Sequence, residues 1–161
     1  MKSKFKYGAY ILAILAIAFS MMLSFMLSMY FWLPIPIAFY IIVNLFCIFS
    51  WIWLIFGELR TKVIRVDIGY DNFMVRGYFG FGASKTLYFN EIEGYKIAVL
   101  PAQGTSYEYL YVMAGNKKAI KLSEFYHKNY TELKEGISSA KIKYLGFEDF
   151  SYAKELKEIF I

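Results

Sequence analysis

The chain has 161 residues, 58% of them apolar and 21% aromatic, with 18 Lys and Arg against 13 Asp and Glu. No Asp, Glu, Lys, Arg or His lies between Lys6 and Glu58, a run far longer than the roughly 20 apolar residues that cross a bilayer as a helix, which excludes a purely soluble chain. Glu58 to Ile161 suffices for one small domain, which excludes a large multidomain enzyme.

Lys2, Lys4 and Lys6 make residues 1–6 a basic cytoplasmic N-terminus. The apolar run that follows continues well past Ala16 and Ala18, where a cleaved signal peptide would turn polar, so it reads as an uncleaved anchor. Leu33-Pro34-Ile35-Pro36 interrupts it by removing amide donors, dividing residues 7–57 into helices over 7–31 and 37–56. So short a connection forces an antiparallel transmembrane hairpin. Arg60, Lys62 and Arg65 follow the second helix and the loop carries no charge, so the positive-inside bias places both termini in the cytoplasm, with the hairpin in the inner membrane. Trp32 at one end and Trp51 and Trp53 towards the other fit an aromatic belt. Ala16, Ser20, Ser24 and Ser28 form a stripe of small side chains suited to helix packing, and Asn44 is placed to bond Ser24 across the hairpin.

Residues 58–161 form the cytoplasmic part. Strands are expected over 63–68, 73–79, 84–89, 95–100, 108–113 and 118–122, with turns at Gly69-Tyr70-Asp71-Asn72, Gly80-Phe81-Gly82-Ala83 and Gly115-Asn116-Lys117. On the fifth, Tyr109 and Tyr111 face one side, Leu110 and Val112 the other. No connection between these strands is long enough for a crossover helix, so the pairing is an antiparallel meander. Asn129 precedes Glu132 at capping-box spacing, and Tyr130, Leu133, Ile137 and Ala140 then recur at helical intervals, with Gly146 as a stop. Phe150, Ala153, Leu156 and Phe160 give a short amphipathic C-terminal helix whose polar face is Lys154, Glu155, Lys157 and Glu158.

Two N-terminal spans, then strands, the segment Tyr88-Phe89-Asn90-Glu91-Ile92-Glu93-Gly94-Tyr95, a lysine-rich hairpin and an Asn-capped helix together resemble the bacterial pleckstrin-homology-like domains found behind membrane anchors, over about residues 61 to 140. The resemblance implies a mostly-β, antiparallel barrel of seven strands with a C-terminal helix, an α+β domain in which one strand beyond the six above is still to be found. Its lipid-binding members use several basic residues around the first two strands. Here that turn is Asp71-Asn72 with only Arg76 after it, so phosphoinositide binding there is not implied.

Catalytic and metal chemistry find little support. Cys47 is the one cysteine and lies in the second apolar run; His127 is the one histidine and reads as a helix-terminus or surface residue. Glu91 and Glu93 read as structural carboxylates, and Gly77, Gly80 and Gly82 as turn and bulge residues without the Gly-Lys-Ser/Thr of a phosphate loop. Lys117, Lys118 and Lys121 read as a solvated hairpin edge, which leaves no basic face for nucleic acid and no basic barrel lining. Tyr78, Phe79 and Phe81 are the candidate docking tip for a partner. The expectation is a non-enzymatic, membrane-anchored binding or scaffold module without cofactor or metal, engaging a protein partner or a second copy of itself. The alternative resembles the two-transmembrane effectors of cyclic-oligonucleotide antiphage systems, in which a barrel senses a nucleotide and the spans disrupt the membrane.

Overall fold

The computed structural model describes residues 1–29, 36–102, 104–115 and 117–159. Helices α1 (Tyr7–Met29) and α2 (Ile37–Ile52) run antiparallel. Tyr40 Oη donates to the carbonyl of Met26 near one end, and the Trp51 indole donates to Ser20 Oγ at 2.8 Å nearer the other. Tyr7–Ser28 and Ile37–Leu59 are long and apolar enough to cross a membrane. Ile14, Ile17, Phe39, Ile42 and many other large side chains on them face outward, uncovered by the rest of the chain. Leu33 to Ile35 of the expected turn, Trp32, Asn116 and Phe160 lie outside the described residues.

α2 does not stop at Phe56. It continues through Trp53–Leu59 with i→i+5 hydrogen bonds, and the Arg60 amide still donates to Ile55 O. Such a turn takes in an extra residue, so each one rotates the side chains beyond it by about 100° relative to an unbroken α-helix. Glu58 and Lys62 are carried by this rotated segment.

Residues 1–6 are not a loose tail. The Met1 ammonium donates to Ile68 O at 2.7 Å and Ile68 N to Met1 O at 2.8 Å, while Ser3 N donates to Val66 O and Val66 N to Ser3 Oγ, each at 2.9 Å. Lys6 N donates to Tyr126 O and Lys128 N to Lys4 O, both at 2.8 Å. The segment is thus clamped between β1 and the residues before α3. Asn129 completes the clamp, accepting from Lys4 N at 2.7 Å and donating to Lys2 O at 2.9 Å. Its side chain therefore caps no helix amide, and the expected capping box with Glu132 is not formed.

The rest is two sheets. β1 (Arg65–Ile68), β2 (Asn72–Arg76) and β3 (Ser84–Tyr88) form one, antiparallel throughout. β4 (Gly94–Ala102), β5 (Thr105–Ala114), β6 (Lys117–Ser123) and β7 (Tyr144–Phe147) form the other, in the order β6-β5-β4-β7. β2 ends earlier than its apolar pattern indicates, because Tyr78–Gly80 turns into a 3₁₀ segment. A seventh strand is present, but it follows helix α3 (Tyr130–Ser139) and pairs parallel to β4, so the sheet is not the antiparallel meander expected and the last strand does not precede the helix. A final helix, α4 (Tyr152–Ile159), ends the described chain.

Alternation explains the packing. Val66, Phe73, Val75 and Leu87 from the first sheet meet Ile97, Leu110, Val112, Ile120 and Leu122 from the second, and Leu133 and Ile137 of α3 join that core. Tyr109, Tyr111, Ala98 and Met113 project from the opposite face of the second sheet and are buried too, against Leu100, Leu145 and Phe150. β5 is thus covered on both faces, as a strand apolar on both sides requires.

Candidate functional site

β1 is short, and its two ends have different fates. Near Ile68 the core is closed, where α3 brings Gly136 alongside. Near Ile64 the sheets part and leave a groove of about 1100 Å³, which reaches over β6 onto the outer face of the second sheet. Ile64, Val75 and Ala119 supply an apolar floor. Arg60, Lys85, Lys96, Lys117, Lys118, Lys121 and Lys154 line it against the single carboxylate of Glu148. Lys85 lies directly opposite Val75 in the β2–β3 ladder and so shares the face that looks into the mouth. Among the described residues, Arg60, Lys85, Lys117 and Lys154 make no ion pair.

A buried ion cluster adjoins the groove. Glu155 of α4 places its carboxylate 3.4 Å from Lys62, 3.5 Å from Lys121 and 3.7 Å from Lys118, and accepts from Tyr111 Oη at 3.3 Å. Lys62 also meets Glu58 at 2.7 Å, and Glu58 accepts from Tyr126 Oη at 2.8 Å. Lys118 reaches Glu148 at 3.0 Å and lies 4.0 Å from the centre of the Tyr111 ring. Burial pushes the Glu155 pKa up, but Lys121, Lys62 and Lys118 outweigh this and hold it below the ordinary carboxylate value. Burial likewise works against the charge on Lys62, and Glu58, Tyr109 and Glu155 override it so that its pKa is raised. Burial first, then the charge of Glu58, raises the Tyr126 hydroxyl; burial, then Glu155, raises that of Tyr111. At neutral pH Glu155 is therefore a charged carboxylate, Lys62 a charged ammonium group, and Tyr111 and Tyr126 neutral phenols.

The turn between β2 and β3 forms one wall. Tyr78 and Phe79 both have positive φ, 51° and 58°, a region that bulky residues avoid at a cost of order 1–3 kcal/mol. This backbone sets Tyr78 on the groove and places Phe79 edge-on to Phe5 and stacked on Tyr10, with ring centres 5.0 and 5.3 Å apart. Gly77 is required here because a Cβ would stand 2.8 Å from the carbonyl oxygen of Arg60.

Of the expected docking tip, therefore, Tyr78 belongs to the groove, Phe79 is committed to the base of α1, and Phe81 alone projects freely, at 93% exposure. The small-residue stripe also divides. Ala16 is buried and Ser20 receives Trp51, whereas Ser24 and Ser28 are exposed and donate to carbonyls of their own helix. Asn44 does not bond Ser24; its Nδ2 donates to Tyr40 O at 2.8 Å and its buried Oδ1 has no hydrogen-bond partner among the described residues.

Three further expectations are corrected. Lys118 and Lys121 are buried in the ion cluster and are not a solvated edge. Glu155, expected on the polar face of the last helix, is its most enclosed described residue, while Ala153 of the expected apolar face is exposed. His127 is fully buried, not a surface residue: its Nε2 lies 3.0 Å from Ile64 O, its Nδ1 lies 3.0 Å from Ser123 O and 3.3 Å from Ser123 N, and burial depresses its pKa. The sequence did carry two hints of the cluster. Glu58 and Lys62 are spaced i,i+4 on one helix, and tyrosines alternate with aliphatics on β5, so that both strand faces need a cover.

Among the described residues no group of three or more His, Cys, Asp or Glu is placed to hold a metal ion. Comparison with protein-family models, with curated proteins and with solved structures finds no match to this chain.

Proposed function

We propose that the chain is a membrane-anchored, non-enzymatic binding module whose ligand site is the groove between its two sheets. The observation that carries this reading is the gathering of seven cationic side chains, among them Arg60 just after the Trp53–Leu59 extension, around one carboxylate over an apolar floor. An open, amphipathic cavity with convergent polar groups is the usual form of a small-ligand site. The hairpin serves as the anchor: both helices are apolar on all sides, and the N-terminal clamp and the Trp53–Leu59 extension tie both of their ends to the sheets. The positive-inside bias then puts the sheets in the cytoplasm. The pleckstrin-homology-like reading of those sheets rests on the two-sheet core closed by α3, with the parallel β7 as its departure. A protein partner or a second copy would dock at Phe81, the exposed remnant of the aromatic tip.

The two-helix effector reading is favoured by the same groove, because a basic, open-ended barrel is what nucleotide sensing requires. The two differ in outcome: an effector arrests growth when its ligand is supplied, and an anchored binding module does not.

The test is extraction of the full chain from its host membrane in native lipid discs, followed by native mass spectrometry. A bound small molecule that is lost from Lys85→Glu and from Ala119→Trp supports the groove as the site. A molecule retained by both variants overturns it.

A further inference from the structure

Resting on the reading that the groove is the ligand site, we propose that its ligand bears phosphate groups and that Glu155 is a built-in competitor, occupying the inner anion position until the ligand displaces α4.

Three ammonium groups, those of Lys62, Lys118 and Lys121, converge within 3.7 Å on one carboxylate. A carboxylate brings one negative charge, whereas a phosphate brings about −1.5 to −2 and three strong acceptor oxygens. Lys118 and Lys121 face both ways: they hold Glu155 and they line the groove. An anion entering the groove therefore meets the same two ammonium groups that hold α4. Unpaired Arg60 and Lys85 at the rim supply charge for a ligand with more than one phosphate, and the apolar floor favours one with an apolar or aromatic portion. A phospholipid headgroup and a nucleotide share that chemistry.

The attachment of α4 suits release. Among the side chains of α4 that are described, the buried one is Glu155, Leu156 is half-buried and Ala153 is exposed, and the attachment that Glu155 makes is ionic. A multivalent anion competes well with such an attachment and poorly with a hydrophobic one. Because Glu155 also pairs with Lys62, just beyond the Trp53–Leu59 extension, departure of α4 removes a carboxylate from the base of the hairpin. Occupancy of the groove is thereby linked to the helices.

The test uses the full chain in lipid nanodiscs and reads amide hydrogen exchange across α4, with affinity by titration calorimetry. The soluble probes are inorganic tripolyphosphate and cyclic di-AMP in phosphatidylcholine discs; the lipid arm replaces phosphatidylcholine with phosphatidylglycerol and adds no probe. For a soluble ligand, saturating probe removes protection from α4, and Glu155→Gln binds that probe about tenfold more tightly than wild type. For a lipid ligand, α4 is unprotected in phosphatidylglycerol discs and protected in phosphatidylcholine discs. Probe that binds wild type, is lost from Lys85→Glu, and leaves both α4 protection and Glu155→Gln affinity unchanged overturns the competitor while leaving the groove reading intact. Absence of binding or deprotection in every arm, for wild type and Glu155→Gln alike, overturns the phosphate assignment. The exchange measurement on wild type needs no variant to fold.

Discussion

On its inner face the second sheet sets Leu110, Val112, Ile120 and Leu122 against the first sheet and α3; on its outer face it sets Tyr109, Tyr111, Lys118 and Lys121 against α4 and its glutamate. Both faces bury apolar side chains, and the outer one buries ions beside them. The inner face is stabilised by removing apolar surface from water, which needs shape but no particular partner. The outer face buries ions, whose desolvation is offset only while each charge keeps its counterpart. An apolar interface tolerates small adjustments, whereas a buried ion cluster loses its balance when one member leaves. The inner face is thus suited to holding the fold and the outer face to responding to an arriving charge.

The largest expected effect is on the outer face. Glu155→Ala removes the carboxylate that Lys62, Lys118 and Lys121 share, though Lys62 keeps Glu58 and Lys118 keeps Glu148, and breaking a buried ion cluster in this way costs up to about 3–5 kcal/mol. Chemical unfolding of the purified chain in detergent measures it; a loss below about 1 kcal/mol would show that solvent already screens the cluster. The inner face is probed by Leu133→Ala, which removes a fully buried side chain and is expected to cost about 2–5 kcal/mol in the same assay. Added salt separates the faces further: it should weaken wild type more than Glu155→Ala, and leave the difference between wild type and Leu133→Ala unchanged.

Acid sharpens the contrast. Both His127 and Glu155 have depressed pKa values in the folded chain, so each contributes stability that is present above its unfolded value and lost as pH falls through its folded one. For His127 the loss begins as pH drops below the ordinary value of 6.5, and for Glu155 only below the ordinary value of 4.5. Unfolding midpoints measured at pH 7.0 and about 5.5 should therefore differ in wild type and converge in His127→Gln. An equal drop in both proteins would assign the sensitivity to another group.

The smallest effect is expected in the hairpin, where Trp51 of α2 donates to Ser20 of α1. A double-mutant cycle with Ser20→Ala and Trp51→Phe should return a coupling of about 0.6 kcal/mol, the usual size for a hydrogen bond within a membrane bundle. Ser24→Ala should couple to neither, because its hydroxyl is satisfied within α1.

Periodicity made the inner core legible: Leu110 and Val112 on one side of β5 and Leu133 and Ile137 on one side of α3 are buried where their spacing puts them. It also marked the two helices, since an uncharged run of that length has few alternatives. These signals are local, carried by residues a turn or a strand pair apart. The groove and the ion cluster are not local. Arg60, Lys85, Lys118 and Lys154 are scattered along the chain: Arg60 reads as a topology marker, Lys118 as part of a solvated hairpin edge, and Lys154 and Glu155 as part of a polar helix face. Only the closure of β6 onto the parting of the two sheets, the rotation of Lys62 by the Trp53–Leu59 extension, and the docking of α4 with its glutamate inward bring them together. The same holds for residues 1–6, which the sequence marks only as a basic N-terminus. Their backbone hydrogen bonds to β1 depend on an unpaired sheet edge that no spacing of side chains encodes. Sequence fixes which face of an element is apolar, because that pattern repeats within the element; which charges meet depends on where separate elements end, and only the tertiary structure decides that.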